Sequence, residues 1–403
     1  MSPRDLRRVR RAAVFKGHAQ AGTLSRTDSV VEFRYLPEYS GPAVAHSLPR
    51  DVACHRAPGA GAVPPFFAGL LPEGRRLSAV RNAVKTSADD ELTLLLAVGE
   101  QTIGDVRVVP EGRSFGEAVQ PARLDLAPEE ALFSELFDAV IASPQLDPAG
   151  LPGYQAKVSG RMLNLPVRYA GRAWILKLNP PEFPHVVENE EFFLEVGALS
   201  GLRTADAEVI TDREGHKGLL VARFDRVPDP AGGGLRSLAQ EDGCQVLGRY
   251  PADKYQLTSE EVFQGLASVC SAPVVAARDL LQQLAFDYLI CNGDAHAKNF
   301  SVLQPPDGEW VVSPAYDVPT THPYGDTTMA MTINGKNRED IGRADFVALG
   351  EAVGVRRKAV QSVLDELIAR FDGWIGRLDE LPFDQRRVHK LRRAMSYRRE
   401  RLA

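Results

Sequence analysis

The chain has 403 residues, of which 44% are hydrophobic and 25% are charged, and its formal net charge at pH 7 is -5. These values are typical of a globular protein with two or three domains, and the acidic balance argues against wholesale binding of nucleic acid. No apolar run approaches the ~20 residues that a membrane span requires. The four cysteines are too scattered to indicate a zinc site or a disulfide framework. We therefore expect a cytoplasmic protein with no membrane contact.

The first third of the chain is predicted to be rich in short strands. Residues 1–125 combine strands and turns with a helix or two, and alternating patterns indicate strands at 30–35 and 105–109. An amphipathic helix is predicted over 126–141. Its apolar stripe consists of Leu132, Phe133, Leu136 and Val140.

The next part, 145–227, is predicted to hold mostly strands and one helix. The tract 150–157 contains glycines and Lys157, which could approach phosphates, although a Pro-Gly turn would explain the same residues. A hydrophobic strand then ends in Lys177, a cation of the kind that binds a nucleotide. The following helix could present Glu190 to Lys177, as in the lysine–glutamate pair of kinases. An acidic first helical turn, which the helix dipole favours, is the alternative.

A hinge between two lobes is predicted after the strand 219–222. Here the chain turns from apolar to charged residues and then enters the Pro- and Gly-rich segment 228–234, which reads as a flexible linker. A hinge can hold adenine through its backbone groups. Phe224 could cover the base, although an aromatic residue at the end of a strand is also typical of a core.

The tract 292–299 gives the strongest indication of function in the sequence. Asp294 and Asn299 have the spacing of the protein-kinase catalytic loop, in which the aspartate orients the attacking hydroxyl group and the asparagine holds magnesium. An ordinary surface loop with an aspartate cap is the alternative for this tract taken alone. Upstream, apolar residues at helical spacing over 280–289 predict a packed helix that Asn292 and Gly293 end.

A second acidic residue follows a predicted strand at 310–314. This strand delivers Asp317 to the region of Asp294, where a carboxylate can take the remaining protein position on magnesium. A hairpin turn is predicted at 305–308. The sequence thus favours a phosphoryl-transfer site.

The last part, 256–403, is predicted to be mainly helical, with two helices between 344 and 378. The segment 386–401 is strongly basic. It is either a solvated helix face or a contact to DNA phosphates or to a tRNA-bound target.

Taken in order, these motifs resemble the HipA-type serine/threonine kinases, the toxin half of bacterial toxin–antitoxin pairs. The resemblance covers nearly all of the chain. The tracts that carry it are 66–74, 94–99, 153–157, 175–177, 221–226, 240–245, 294–300 and 316–317.

The resemblance implies an α+β, two-lobed protein-kinase-like (phosphatidylinositol-kinase-like) fold, with an N-terminal β-rich subdomain and a mainly helical C-terminal lobe. The expected division is a HipA-type subdomain over 1–125, a nucleotide-binding lobe with loop, lysine strand and hinge over 126–235, and a helical catalytic lobe over 236–403.

The resemblance also implies ATP and Mg2+ as cofactors and a role for each motif residue. Asp294 would be the catalytic base, and Asn299 and Asp317 would bind the metal. The residues expected to take part in catalysis with Asp294 are Lys177, His296 and Lys298. The residues expected to bind the nucleotide are Lys157, Lys177, Arg223, Phe224, His296 and Tyr316.

Family resemblance further implies a growth-inhibiting toxin that phosphorylates a protein, possible targets including an aminoacyl-tRNA synthetase. A small DNA-binding antitoxin would neutralise it and would make most of the contacts with operator DNA. Two other functions stay open: a phosphotransferase acting on a small molecule or lipid, and a catalytically quiet co-repressor.

The chain departs from the family pattern at two positions. Gly150 stands where members typically carry a serine whose phosphorylation silences the kinase, so that site lacks the residue that is modified. Ser143 and Ser159 are the nearest substitutes in sequence. Ala222 stands where the family hinge often has a glutamate. A hinge that works through its backbone loses little by that change.

Overall fold

The computed structural model describes residues 3–27, 30–57, 59, 61–99, 102–113, 124–136, 162–230 and 234–403. The predicted nucleotide loop with Gly150 and Lys157 lies outside these residues, as do Ser143 and Ser159. Within the described part, no helix is both long and apolar enough to cross a membrane. The architecture is α+β, with a β-rich N-terminal region and a mainly helical C-terminal region, as predicted.

The N-terminal region is an antiparallel sheet covered by short helices. Its strands are β1 Arg11–Lys16, β2 Ala19–Thr27, β3 Val30–Tyr35, β4 His55–Arg56 and β5 Val106–Pro110, in the order β4-β3-β2-β1-β5. Its helices are α1 Pro65–Gly69, α2 Gly74–Val84 and α3 Glu91–Val98. Side chains from the sheet, α1 and α3 share one buried core. The strands predicted at 30–35 and 105–109 are confirmed.

A second sheet forms the next region. Its strands are β6 Leu124–Asp125, β7 Leu163–Tyr169, β8 Arg172–Leu178, β9 Ala207–Thr211 and β10 Lys217–Ala222, in the order β6-β7-β8-β10-β9. One face packs on α4, described at residues 133–136, and the other face packs on α5 Val186–Leu199. Because side chains alternate along a strand, Leu220 lies in the core under α4 whereas Leu219 and Val221 lie in the core under α5.

The helix predicted over 126–141 is wrong in its first half, and residues 137–141 lie outside the described part. Leu126 N donates to Arg168 O at 2.9 Å and so continues the pairing of β6 with β7. The helix begins only at Phe133, whose backbone N–H donates to Asp212 Oδ2 at 2.8 Å. A carboxylate far away in sequence therefore fixes the start of this helix, which no local pattern could reveal.

The segment 228–234 was predicted as a flexible linker, and this is wrong at its described residues. It connects β11 Arg226–Pro228 to β12 Leu235–Ser237, which pair antiparallel as a hairpin. Asp229 N donates to Gly234 O at 3.0 Å across the base of the turn. The described residues of this segment thus belong to a hairpin and not to a tether between lobes.

The C-terminal region combines a small sheet with a helical bundle. The sheet consists of β13 Ala239–Asp242, β14 Ser301–Gln304 and β15 Val311–Val312, and the turn at 305–308 joins its last two strands as predicted. The helices are α6 Gly243–Val246, α7 Ser259–Val269, α8 Pro273–Leu289, α9 Arg343–Ala352, α10 Arg357–Trp374 and α11 Gln385–Leu402. The two helices predicted between 344 and 378 are confirmed, whereas the strand predicted at 310–314 is only two residues long.

Helix α8 lies at the centre of this bundle. Its buried side chains come from all sides of the helix from Ala276 onward, and Leu280, Leu284 and Tyr288 have no measurable exposure. A helix that is packed on every side gives a rigid support for the loop that follows it.

Candidate active site

Lys177 lies on β8, the central strand of the second sheet. Its neighbours Leu176 and Leu178 face the core under α4, so the alternation of the strand turns Lys177 toward α5. Lys177 Nζ lies 2.6 Å and 2.8 Å from the two carboxylate oxygens of Glu190 and 2.7 Å from Asp317 Oδ1. The predicted contact of Lys177 with Glu190 is therefore present. We call Lys177, Glu190 and Asp317 the lysine cluster.

The lysine cluster is buried on one side and open on the other. The side chains of Lys177 and Glu190 are 8% and 0% exposed, whereas that of Asp317 is 23% exposed. Burial alone would lower the pKa of Lys177, but the carboxylates of Asp317 and Glu190 outweigh it and raise this pKa. Burial likewise opposes ionisation of Asp317, yet the Lys177 ammonium holds the Asp317 pKa below its ordinary value. Asp317 is therefore a carboxylate at neutral pH.

Helix α5 is fixed to the chain beyond Asp317 by a reciprocal pair of hydrogen bonds. Asn189 Nδ2 donates to Thr320 O at 2.8 Å, and Thr320 N donates to Asn189 Oδ1 at 3.0 Å. Both residues are fully buried. Because Asn189 precedes Glu190, the same turn of α5 holds both Lys177 and the segment after Asp317.

Asp317 adopts a backbone conformation that few residues other than glycine adopt. Its φ is 58°, in the left-handed region. The preceding residue is anchored, because the Tyr316 hydroxyl donates to Lys298 O at 2.6 Å and contacts the Ser301 hydroxyl at 2.5 Å. This turn and the bond to Lys177 together direct the Asp317 carboxylate toward Asn299, in the loop after α8.

The loop that follows α8 and carries Asp294 begins with a turn at Cys291. The prediction that Asn292 and Gly293 end α8 is wrong in detail, because Cys291 supplies the left-handed conformation, with φ 58°. Gly293 is needed for a different reason. A Cβ atom added there would lie 2.5 Å from Thr328 O and 2.7 Å from Asp326 Oδ2, too close for any side chain.

Asp294 is held through both its backbone and its carboxylate. Asn292 Oδ1 accepts the Asp294 N–H at 3.1 Å, while Asn292 Nδ2 donates to Asp287 Oδ1 at 2.9 Å. The Tyr255 hydroxyl donates to Asp294 Oδ1 at 2.8 Å. The backbone of Asp294 is thus held from α8, and its carboxylate is held from the chain before α7.

Asn299 touches Asp317 directly. Its Nδ2 lies 3.2 Å from Asp317 Oδ2, and its Oδ1 accepts the His296 N–H at 3.0 Å. Magnesium prefers hard oxygen ligands, usually one or two from the protein with the rest from phosphates and water. A carboxylate beside a carboxamide fits that ion, so the two predicted metal ligands are brought together.

His296 is buried beside the ring of Tyr255, with 5.1 Å between ring centroids. Burial and the neighbouring Lys254 lower the pKa of His296 to about 3. The imidazole is therefore neutral at physiological pH. Its buried Nδ1 has no hydrogen-bond partner in the described part of the chain.

Lys298 meets two carboxylates. Its Nζ lies 2.5 Å from Asp242 Oδ2 and 3.7 Å from Glu73 Oε1. The other oxygen of Glu73 binds the ammonium of Lys254. The sequence assigned no role to Glu73, Lys254 or Tyr255. Glu73 belongs to a tract that carries the resemblance, but no local pattern indicates that it reaches residue 298.

At the hinge, Arg223 and Phe224 differ in their surroundings. Phe224 lies beside Tyr316, with 5.7 Å between ring centroids. The Arg223 guanidinium donates to Asp225 Oδ2 at 2.7 Å and to Thr102 O at 2.9 Å. Arg223 thus fastens the predicted hinge to the N-terminal region. Its expected contact with the nucleotide stays a prediction, as does that of Lys157 outside the described residues.

Asp225 is the centre of this fastening. It accepts hydrogen bonds from Arg223, from Arg226 Nη1 at 2.5 Å and from Gly104 N at 2.8 Å. Burial would raise the pKa of Asp225, but the two arginines lower it to about 2. We call Arg223, Asp225 and Arg226 the hinge cluster.

Comparisons with known proteins place the chain in a family. Residues 149–375 match the model of the HipA-like C-terminal domain, and residues 12–109 match that of the HipA N-terminal domain. The protein Y4mE of Sinorhizobium fredii is 32% identical over 301 residues, which cover 70% of each chain. The serine/threonine-protein kinase toxin HipA of Shewanella oneidensis is 26% identical over 328 residues, covering 76% of this chain and 74% of that protein.

The fold is similar to that of a solved structure, the Shewanella oneidensis HipA, HipB and operator DNA complex. The TM-score is 0.78, the identity is 23%, and the match covers 97% of each chain. At that identity the likeness concerns the fold alone. Since the two domain models and the relatives together span most of the sequence, the chain belongs to the HipA family of kinase toxins.

Proposed function

We propose that this protein is an ATP-dependent serine/threonine protein kinase that acts as a growth-inhibiting toxin. The observation that carries the proposal is the lysine cluster together with Asn299. Protein kinases require a lysine–glutamate pair and a metal-binding aspartate to be in place at the same time. Here one ammonium contacts Glu190 and Asp317, and Asn299 contacts Asp317.

Each site residue has a proposed task in this reaction. Lys177 would bind the nucleotide phosphates, and Asp294 would orient the substrate hydroxyl group and accept its proton. Asn299 and Asp317 would hold Mg2+, which when bound neutralises negative charge on the phosphates. His296, neutral at physiological pH, would line the phosphate side of the site. Tyr316 and Phe224 would lie beside the nucleotide.

Transfer of labelled phosphate tests this proposal. Purified protein with labelled ATP and Mg2+ should modify a protein in a cell lysate, and Asp294→Asn should reduce the rate about 100- to 10,000-fold. Asp307→Asn is a matched control, because Asp307 lies in the exposed turn between β14 and β15 and should leave the rate unchanged. Activity that survives Asp294→Asn would refute the assignment of the base.

The labelling experiment and a measurement of ATP binding together separate the alternative functions. Label that appears only in metabolites of a protein-free extract would indicate a small-molecule or lipid phosphotransferase. Absence of ATP binding in calorimetry would indicate a catalytically quiet co-repressor. The contact of Lys177 with Glu190 and Asp317 favours the kinase over the latter, because the Asp317 carboxylate remains 23% exposed beside Asn299, where it can still take a metal ion.

We further propose a DNA-binding antitoxin as partner and a translation protein, such as an aminoacyl-tRNA synthetase, as target in the cytoplasm. Support for the antitoxin comes from the Shewanella oneidensis protein, whose structure contains HipB and operator DNA. Phosphoproteomics after brief induction in a host without the antitoxin would identify the target and any self-modification near Gly150.

The basic segment 386–401 forms most of α11, and its residues divide into two groups. Arg398 is buried and donates to Tyr288 O at 2.7 Å and to Thr327 O at 2.9 Å, so it belongs to the core. Lys390 and Arg393 are exposed and line a cavity of about 400 Å3. We propose that this exposed group contacts operator phosphates beside the antitoxin, which the salt dependence of operator binding by the complex would test.

The predicted division of the chain fits these tasks. We propose that 1–125 is an accessory subdomain, that 126–235 binds the nucleotide and that 236–403 carries the base and the metal ligands. In support, β8 with Lys177 belongs to the second sheet, whereas Asp294 and Asn299 follow α8.

A further inference from the structure

The start of α2 reaches from the N-terminal region into the candidate active site. Glu73 is the N-cap residue of α2, a position whose side chain often accepts a hydrogen bond from a free N–H group of its own helix. The Glu73 side chain makes no such bond. Its carboxylate contacts Lys254 and lies 3.7 Å from Lys298 Nζ instead.

The two lysines differ in how they are paired. Lys298 has Asp242 at 2.5 Å as a second, closer partner, so it remains paired when Glu73 moves. For Lys254, Glu73 is the one carboxylate contact among the described residues, and its ammonium otherwise lies over the ring of Tyr255 at 5.2 Å. Lys254 and Lys298 are 12% and 14% exposed, whereas Glu73 is 37% exposed. The acid is thus the accessible member of the group.

These groups lie close to the atoms that the proposed reaction uses. Lys254 precedes Tyr255, which binds Asp294, and Lys298 precedes Asn299. The two ammonium groups that Glu73 contacts therefore belong to the immediate sequence neighbours of Tyr255, which binds the proposed base, and of Asn299, a proposed metal ligand.

A terminal phosphate carries the same sign of charge as a carboxylate and binds to the same cations. We propose that Glu73 holds the place of the terminal phosphate of a nucleoside triphosphate between Lys254 and Lys298, and that binding of ATP displaces this carboxylate. Glu73 is then a specificity-determining residue that acts against triphosphates and has little effect on diphosphates. This inference rests on the proposed function, because it assumes that the site binds ATP.

Calorimetry with two nucleotides tests the inference. We expect Glu73→Gln to bind a non-hydrolysable ATP analogue with Mg2+ about three- to fivefold more tightly than the unchanged protein, the upper part of the range for a partly exposed ion pair. Its affinity for ADP with Mg2+ should stay within about twofold. The gain should disappear in the double variant Glu73→Gln with Lys254→Gln, because it depends on the ammonium of Lys254.

Glu182→Gln is a matched control. Glu182 accepts from Arg75 Nη2 at 2.7 Å, so this change loosens the first turn of α2 without touching the two lysines. It should leave the ratio of the two affinities unchanged.

An equal change for both nucleotides, weaker binding of the ATP analogue by Glu73→Gln, or a gain that persists without Lys254 would overturn the inference. In each of these cases the unchanged protein still binds ATP, so the proposed function stands. An unchanged protein that binds neither nucleotide would instead remove the proposed function.

Discussion

The lysine cluster and the hinge cluster are both groups of buried charges, yet they differ in what they leave accessible. In the lysine cluster the Asp317 side chain is 23% exposed, whereas Asp225 in the hinge cluster is 2% exposed. Asp317 also contacts Asn299, the other proposed metal ligand, while the partners of Asp225 are two arginines and the backbone of Gly104.

The difference shows how the role of a buried ion pair can be inferred from the exposure of its carboxylate. Removing charges from water is costly, and good pairing offsets that cost in both clusters. A cluster that is closed on all sides can only hold the fold together. A cluster that leaves a carboxylate exposed beside a second proposed metal ligand, as Asp317 lies beside Asn299, can also bind an ion. The variants below separate these two cases.

The largest effect is expected for the lysine cluster. Asp317→Asn should reduce phosphate transfer at least about 1,000-fold, which corresponds to about 4 kcal/mol in the barrier, because it removes the charge of a proposed metal ligand. Folding should change little, since Lys177 stays paired with Glu190. Rates with labelled ATP and the midpoint of thermal unfolding measure the two effects. Asp372→Asn, at an exposed pair with Arg399 on the surface, is the control. Wild-type rates in Asp317→Asn would contradict the comparison.

The hinge cluster should show the opposite pattern. Asp225→Asn leaves two buried arginines without a carboxylate and should lower the free energy of unfolding by about 3–5 kcal/mol. Because the pKa of Asp225 is about 2 in the folded protein and about 4 in an unfolded chain, its stabilisation is present above pH 4 and is lost as the pH falls toward 2. Denaturant unfolding at several pH values measures this stabilisation.

Asp206→Asn is the control. Its aspartate is 73% exposed, so the change should have little effect on the free energy of unfolding. A loss of stability as large as that of Asp225→Asn would show that burial is not the cause.

Asp287 sharpens the comparison, because it is a buried carboxyl group with no ion pair among the described residues. Burial raises the pKa of Asp287 to about 7, the Asp317 charge adds to this rise, and the amide of Asn292 opposes it. A raised pKa means that the stability due to the protonated group is present below pH 4 and is lost as the pH rises through 7.

Asp287→Asn should therefore raise the free energy of unfolding by about 1–2 kcal/mol at pH 8 and change it little at pH 4. Denaturant titrations at the two pH values measure the difference. A variant that is less stable than the unchanged protein at pH 8 would show that the carboxylate has a stabilising partner.

Much of the fold and the centre of the site could be predicted from the sequence. The alternation at 30–35, the turn at 305–308 and the helical spacing at 344–378 are local patterns, and the structure follows them. Asp294, Asn299, Asp317 and Lys177 also lie in short motifs. Their expected proximity is borne out where contacts are described, from Lys177 to Asp317 and from Asp317 to Asn299.

What the sequence missed depends on contacts between distant residues. Asp212 fixes the start of α4, and Glu73 reaches Lys298 across 225 positions of sequence. Cys291 takes a left-handed conformation that glycine would ordinarily take, because the packing around it outweighs the local preference. No periodicity or spacing within one window contains that information.

The close approach of Gly293 to the backbone at Thr328 and to Asp326 has a consequence for how such sequences can diverge. The loop that carries the proposed base and the stretch 326–328, beyond the second proposed metal ligand, pack so closely that no side chain fits between them at position 293. A larger residue at 293 is tolerable only if 326–328 retreats, so substitutions in these two short stretches should be inherited together. Swapping either one alone between homologues should yield an inactive chimera, whereas exchanging both should restore it.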